Sequence, residues 1–344
     1  MSLGLKWPCK PHLLVLSTSL LGLTALVLGF SLCLSATSAR AADDTTEKKA
    51  EKKADEEEIK PPEDAPLTTD DGLELKTTYF PGSKGPESIP VILLHGFKGN
   101  RKDFTQEQGL APYLQEKLGC AVIVPDLRGH GESLKITKNK QLVKPTGREL
   151  LPALMITQDL RAVKDFLWKK NNEKLLNIDK LVVIGAEEGA ALALSYAAYD
   201  AVGYEQGEAK YGPLKLGKFV KAVALISPVT NVVGLKPTTA QVMRIPEVCR
   251  DLSVMIAVGN KNKERFKEAE QLGSQFVKAR PAAANDTITV YFFKKLDTPL
   301  QGVKLMAEPS LKVPEKIVAF LTVRLIKNPD AKDWVWKERK LPHE

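Results

Sequence analysis

Apolar residues in this chain fall into short continuous runs, separated by longer segments in which they recur at helical spacing. The runs are Val91–Leu94, Ala121–Val124, Leu181–Ile184, Ala222–Ile226, Val254–Val258 and Ile288–Phe293. Such runs are typical of strands buried on both faces. From Thr157 to Lys169 the apolar positions instead form one stripe of a helix. Strands of this kind alternating with helices predict a mainly parallel sheet that is covered by helices on both faces.

The first 41 residues have the pattern of an export signal. Lys6 and Lys10 precede an apolar run from Leu13 to about Ala36, and small residues surround Arg40. This predicts a signal peptide cleaved after residue 41. The run is also long enough to cross a bilayer, so an uncleaved signal anchor is the alternative. In both cases we expect an exported protein, either periplasmic, secreted or tethered to a membrane and facing outward.

Charged residues and prolines divide the rest of the chain. Residues 42–66 contain few apolar residues and end in prolines, which predicts a charged, disordered linker. The α/β pattern then occupies residues 67–325. Residues 326–344 form a basic C-terminal tail with Trp334 and Trp336. We expect these tryptophans to pack on the domain; a basic amphipathic segment for a membrane surface or a partner is the alternative.

The formal charge of the chain is +8, although the linker is acidic. A basic domain favours anionic partners such as envelope polymers, but a solvated surface is the simpler interpretation. Arginine-rich runs interleaved with aromatic residues are absent from the sequence, so nucleic acid is not an expected partner. Outside the export segment the cysteines are Cys120 and Cys249. We predict that both are free, buried thiols.

Three of the predicted strands run into distinctive glycine-containing turns. The first buried strand ends in Leu-Leu-His-Gly-Phe, the next in Pro-Asp-Leu-Arg-Gly-His-Gly-Glu-Ser, and a third strand runs into Gly-Ala-Glu-Glu-Gly. Their spacing resembles that of the α/β-hydrolase superfamily, and most of all its serine aminopeptidase and monoacylglycerol lipase branch. The residues that carry the resemblance are His95, Gly96, Asp126, Gly129, His130, Gly131, Gly185 and Gly189.

The resemblance implies an α/β-hydrolase fold with a sheet of about eight strands and helices on both faces. In this family a lid is inserted between two of the later strands. Here only Ser227–Leu252 is available for it, and this segment holds three prolines. We therefore expect a minimal cap of one or two short helices, which leaves the substrate class unreadable from the sequence.

The same resemblance assigns positions to a catalytic triad, and each position holds a different residue from the usual one. The nucleophile position in the elbow turn is Glu187, the acid position is Asn262, and the base position aligns best with Gln301. The oxyanion-hole donors would be the backbone N–H groups of Phe97 and Glu188. Carboxylates at positions 187 and 188 would repel an oxyanion there, even if the backbone donors survive.

The histidines do not supply a base. His12 lies in the export segment, His95 and His130 belong to the family turns, and His343 is the penultimate residue. Relatives on this fold that use an aspartate nucleophile still need a histidine to activate water. Losing a triad as a set removes most of the rate enhancement of a hydrolase.

These residues predict an exported α/β-hydrolase-fold protein with a degenerate triad, acting as a non-catalytic binding or envelope protein. Its partner would be an unidentified small molecule or an envelope component. The alternative is an active hydrolase of ester or amide bonds that uses Glu187 or a recruited base. We assign no metal site and no cofactor.

Overall fold

The computed structural model describes residues 59–206, 218–279 and 291–339. Contacts between residues divide the chain into Met1–Ala54 and Asp55–Glu344. The predicted export segment, most of the predicted linker, and His343 lie outside the described residues. Among the helices that are described, none combines the length and the apolar character needed to cross a bilayer.

An eight-stranded sheet forms the centre of the domain, with the strand order β1-β4-β6-β5-β9-β10-β11-β12. The strands are β1 (Glu63–Asp64), β2 (Leu67–Thr68), β3 (Glu74–Leu75), β4 (Thr77–Phe80), β5 (Pro90–Leu94), β6 (Ala121–Pro125), β7 (Ile136–Lys138), β8 (Gln141–Val143), β9 (Leu181–Ala186), β10 (Val220–Ile226), β11 (Ser253–Gly259) and β12 (Tyr291–Leu296). Strands β5, β6 and β9 to β12 are parallel, while β1 and β4 pair antiparallel at one edge. The strands β2–β3 and β7–β8 form separate two-stranded ribbons. The predicted, mainly parallel sheet of about eight strands is confirmed.

Helices cover both faces of this sheet. They are α1 (Lys102–Thr105), α2 (Leu110–Leu118), α3 (Pro152–Leu154), α4 (Leu160–Asn172), α5 (Glu188–Gln206), α6 (Thr239–Val242), α7 (Pro246–Asp251), α8 (Lys263–Lys278), α9 (Gly302–Ala307) and α10 (Val313–Leu321). Single π-helical turns, Met155–Asp159 and Thr322–Ile326, precede α4 and follow α10. Short 3-10 turns occur at Gly85–Glu87, Gly147–Leu150, Ile178–Lys180, Pro309–Leu311 and Pro329–Asp333.

The continuous apolar runs are explained by the two cores of the domain. Within β5, Ile92 and Leu94 belong to the core that also contains residues of α4, α5 and α8, while Val91 and Leu93 belong to the core that contains residues of α1, α2, α9 and α10. Because successive side chains of a strand point to opposite faces, a strand between two helical layers has apolar residues at every position. Cys120 and Cys249 are buried thiols outside any disulfide, as predicted, and burial raises the pKa of the Cys120 thiol to about 12.

The segment between β10 and β11 is as short as expected and contains the helices α6 and α7. Both helices pack against α5. No described residue of this segment lines the cavity at the turn between β9 and α5. The segment thus holds the two short helices that were expected of a minimal cap, and both lie against α5.

The domain extends beyond both predicted boundaries. Strand β1 pairs with β4, so the sheet begins at Glu63, inside the stretch predicted as linker. At the other end, the Trp336 indole N–H donates to the carbonyl oxygen of Asn171, and the Trp334 ring packs against the core. Arg339 forms an ion pair with Asp179. The described part of the tail is thus packed onto the domain.

Candidate functional site

The turn between β9 and α5 has the backbone shape of a nucleophile elbow. Glu187 lies there with φ of 53°, in the left-handed region that non-glycine residues rarely adopt. A Cβ at Gly185 would collide with the backbone of Gly189, and a Cβ at Gly189 would lie 2.6 Å from the carbonyl oxygen of His95. The two glycines are therefore required by close approach of the backbone. The elbow is intact, but it presents a carboxylate.

The Glu187 side chain lies between two glycine backbones. A Cβ at Gly96 would be 3.1 Å from its Oε2, and a Cβ at Gly302 would be 2.8 Å from its Cδ. The backbone N–H of Glu187 donates to the carbonyl oxygen of Ile226 over 2.9 Å, which ties the elbow to the next strand. The side chain is half-buried. A carboxylate thus occupies the position to which a hydrolase directs its nucleophile.

The Phe97 oxyanion donor is present but already engaged. The backbone N–H of Phe97 donates to Oε2 of Glu188 over 3.1 Å. A negatively charged oxygen of the protein therefore lies against the donor that would stabilise a substrate oxyanion. The sequence predicted that the backbone donors would survive beside unfavourable charges. The structure adds that one of these charges bonds directly to the donor.

The structure brings Gln301 to the elbow, but the Asn262 side chain is used elsewhere. Gln301 Nε2 donates to the carbonyl oxygen of Gly259 over 3.0 Å, at the end of β11, and Gln301 lines the cavity that contains Glu187. Asn262 is exposed and caps α8, with its Oδ1 accepting the N–H of Arg265 over 3.1 Å. The positions aligned with the base and the acid thus hold an amide and a helix cap.

The two described histidines lie in the turns expected to hold them, and His95 is fully satisfied there. Its Nε2 accepts the N–H of Leu127 over 3.1 Å, so its Nδ1 carries the proton and donates to the carbonyl oxygen of Gly96 over 2.7 Å. Burial lowers the pKa of His95. His130 lies 2.9 Å, through Nδ1, from the carbonyl oxygen of Arg128. Both rings are thus hydrogen-bonded within the family turns, and no hydrogen bond between either ring and Glu187 is found among the described residues.

Asp126 and the glycines Gly129 and Gly131 shape the second turn. Asp126 Oδ1 accepts the N–H of Arg101 over 2.6 Å, and Oδ2 accepts the N–H of Glu132 over 2.9 Å. Both glycines have positive φ. Asp126 thus bonds the loop that contains Arg101 to the turn that contains Glu132.

A cavity of about 590 Å³ opens over the elbow. It lies at the carboxyl ends of the parallel strands, where ligands bind in open α/β sheets. Its lining consists of Gly96, Lys98, Gly99, Asp103, Glu187, Pro299, Leu300, Gln301, Val303 and Lys304. Sequence reasoning found the elbow and the aligned glutamine but missed Lys98, Asp103 and Lys304. Their proximity in sequence to the predicted site residues was the only available signal.

The protein comparisons agree with this architecture. A model of the alpha/beta hydrolase fold family matches residues 89–299. No curated protein matches the chain.

Among solved structures, a fungal esterase from Rhizomucor miehei is similar with a TM-score of 0.51 and 17% identity, covering 76% of this chain and 84% of the esterase. The Pyrobaculum calidifontis esterase has a TM-score of 0.51 and 15% identity, covering 77% of this chain and 86% of the esterase. The carboxylesterase EstE1 from a metagenomic library has a TM-score of 0.51 and 13% identity, covering 78% of this chain and 88% of EstE1. At these identities the likeness shows the fold alone. Because the family match spans more than half of the chain, this protein belongs to the alpha/beta hydrolase fold family.

Proposed function

We propose that this protein binds a small molecule in the cavity over the elbow and does not hydrolyse it. The observation that carries this proposal is the hydrogen bond from the Phe97 N–H to the Glu188 carboxylate. A hydrolase needs that donor free when the oxyanion forms. Here the donor is committed to a charged acceptor, and hydrogen bonds to charged groups contribute about 1.5–3 kcal/mol.

The residues around Glu187 also support a binding role. A carboxylate nucleophile that displaces a leaving group from an alkyl carbon forms an ester, which water must then hydrolyse, and this second step needs a base to activate the water. The nearest candidate by position, Gln301, carries an amide that donates to Gly259. An amide has no useful basicity at neutral pH. An ester formed on Glu187 would therefore accumulate instead of turning over.

The second candidate is an active hydrolase of ester or amide bonds. Family membership favours it, because esterases on this fold use the same elbow, and Glu187 keeps the strained φ of 53° that presents a side chain to substrate. In that case the Glu187 carboxylate would attack the substrate carbonyl carbon, the alcohol or amine would leave with a proton, and water activated by a recruited base would cleave the resulting mixed anhydride to the free acid and Glu187.

A screen of the purified full-length protein separates the two candidates. The substrates are short-chain p-nitrophenyl esters and aminoacyl p-nitroanilides, and the matched variant is Glu187→Gln. A binding protein gives no release of nitrophenol or nitroaniline above the buffer rate. Turnover that disappears in Glu187→Gln would establish the hydrolase and end the binding proposal.

We also propose that the protein acts outside the cytoplasm, as an envelope component. The apolar run and small residues of the first 41 positions support this placement. Fusing these residues to a reporter that is active only after export tests it. A reporter that stays inactive, together with a full-length protein found in the cytoplasmic fraction, would overturn the placement.

A further inference from the structure

The floor of the cavity presents acceptors, because the nearby backbone donors are committed. The Phe97 N–H donates to Glu188, and the Gly302 N–H donates to Ser227 Oγ over 3.0 Å. The N–H of Glu187 itself donates to Ile226. An anionic or carbonyl group of a ligand therefore finds no free backbone donor at these three positions. The floor selects for a group that brings its own donors.

Glu187 supplies the charge for such a group. Among the residues the structure describes, its carboxylate has neither a hydrogen-bond donor nor a cationic partner. It is half-buried between the backbones of Gly96 and Gly302. A carboxylate in this position has lost part of its hydration without gaining a partner inside the protein. An ammonium group, which only donates, complements it.

The rim of the cavity has the opposite charge. Lys98 and Lys304 are exposed and line the opening, and neither forms an ion pair with any residue of the described ranges. The other carboxylate of the lining, Asp103, accepts the N–H of Asn100 over 3.2 Å. The two lysines are therefore available to an anion that enters from solvent.

The cavity lining also contains apolar side chains, here called the apolar wall. Pro299, Leu300 and Val303 line the cavity between the loop after β12 and the start of α9. A ligand in the cavity can thus meet a half-buried carboxylate, apolar side chains and exposed ammonium groups. This combination matches a molecule that carries a cation, an anion and an apolar side chain.

We propose that the ligand is a zwitterion of the amino acid or short peptide class, with its ammonium group on Glu187 and its carboxylate at Lys98 and Lys304. This inference rests on the proposed function, since it names what the cavity holds. The α-ammonium donates to the Glu187 carboxylate, and the side chain packs on the apolar wall. A longer peptide places its carboxylate nearer the rim than a free amino acid does.

Calorimetric titration of the full-length protein tests the ligand class. The ligands are leucine, leucyl-leucine, and the N-acetyl and C-terminal amide derivatives of leucyl-leucine. We expect one or both zwitterions to bind, and each blocked derivative to bind roughly tenfold or more weakly, as for the loss of one charge-assisted contact. The comparison of leucine with leucyl-leucine distinguishes the amino acid from the peptide. Absence of binding by both zwitterions, or equal binding of the blocked derivatives, overturns the proposal.

Variants locate the contacts. Glu187→Gln should weaken zwitterion binding roughly tenfold while leaving the weak binding of the N-acetyl derivative unchanged. The double variant Lys98→Gln, Lys304→Gln should likewise weaken zwitterion binding roughly tenfold while leaving the weak binding of the C-terminal amide derivative unchanged. Lys278→Gln, an exposed lysine on α8, is the matched control and should change nothing. If the double lysine variant and Lys278→Gln change the binding affinity equally, Lys98 and Lys304 do not bind the ligand carboxylate.

Chromatography of the titrated dipeptide keeps the two proposals apart. Intact leucyl-leucine that binds with the expected selectivity supports both. Cleavage to leucine that is lost in Glu187→Gln would overturn the non-catalytic function while retaining the ligand class. An absence of both binding and cleavage overturns the ligand class alone.

Discussion

Phe97 and Glu188, which are 91 residues apart in sequence, are joined by a 3.1 Å hydrogen bond from a backbone N–H to a carboxylate oxygen. In this way the loop after β5 is bonded to the first residue of α5. The contact places a fixed negative charge against the donor from which the fold would build an oxyanion hole. Two separate features of the site thus support the proposed non-catalytic function, the carboxylate of Glu187 at the nucleophile position and the carboxylate of Glu188 at the Phe97 donor.

The first prediction concerns rebuilding the triad. The triple variant Glu187→Ser, Asn262→Asp, Gln301→His restores the residue types of a hydrolase but leaves Glu188 on the Phe97 N–H. Adding Glu188→Ala should raise esterase activity by about 10²–10³-fold, the contribution of one oxyanion donor. Asp also caps helices, so Asn262→Asp should preserve the start of α8.

Initial rates with p-nitrophenyl acetate measure this difference. The control adds Glu188→Gln to the triple variant, which keeps the size of the side chain while removing its charge. Equal activity of the triple variant and its Glu188→Ala derivative would show that Glu188 does not block the hole.

The second prediction concerns His95 and pH. Its pKa is lowered by burial, so the folded protein binds a proton less readily than the unfolded chain, whose histidine titrates near 6.5. The contribution of His95 to the free energy of unfolding is therefore complete above pH 6.5 and decreases as the pH falls below it. Urea unfolding between pH 7.5 and 5 measures this dependence.

His95→Gln should lose that part of the pH dependence, and nitrogen NMR should show the proton of native His95 on Nδ1. His130→Gln serves as the comparison, since that ring is only partly buried. A native His95 that titrates at or above 6.5 would contradict the assignment.

The third prediction concerns the buried guanidinium of Arg128. It is fully buried and donates to Asp159 Oδ1 over 2.7 Å, to Asp71 Oδ2 over 2.9 Å and to the carbonyl oxygen of Glu149 over 2.9 Å. Replacing it with alanine leaves the Asp159 carboxylate buried without its partner. Breaking such a pair costs about 3–5 kcal/mol.

Denaturant unfolding of Arg128→Ala measures the loss, and Arg161→Ala is the control. Arg161 pairs with Asp70 at the surface, where ion pairs contribute about 0–1 kcal/mol. Similar destabilisation by both substitutions would mean that the buried network is not a main source of stability.

The fourth prediction concerns the C-terminal tail. Buried Asn177 donates from Nδ2 to the carbonyl oxygen of Trp334 over 2.8 Å, and buried Asn171 donates to that of Lys337 over 2.9 Å. A chain ending at Asp333 leaves both amides without these acceptors, at a cost of about 1–3 kcal/mol each. Its melting temperature should fall accordingly.

The control chain ends at Arg339 and keeps every described contact of the tail. It should melt at the temperature of the full chain, and it also lacks His343. Any hydrolytic activity of the full chain that vanished in this control would identify His343 as a base and contradict the proposed function.

The sequence predicted the sheet and its family turns because both follow from local requirements. Continuous apolar runs indicate strands buried on both faces, and Gly185 and Gly189 are required by backbone contacts at the elbow. It placed Glu187 at the nucleophile position and left the chain without an assignable base. The order of the strands was not predicted, because apolar patterns do not specify which strands are neighbours.

By itself the sequence determined which residue types occupy the elbow and which histidines exist, since these are properties of single positions. Only the tertiary structure decided that Glu188 bonds to Phe97, that Asn262 caps a helix, and that Lys98 and Lys304 line the same cavity as Glu187. Those relationships join residues distant along the chain, and their geometry depends on how the strands and helices pack. The packing of the strands and helices therefore decided which side chains meet in the cavity.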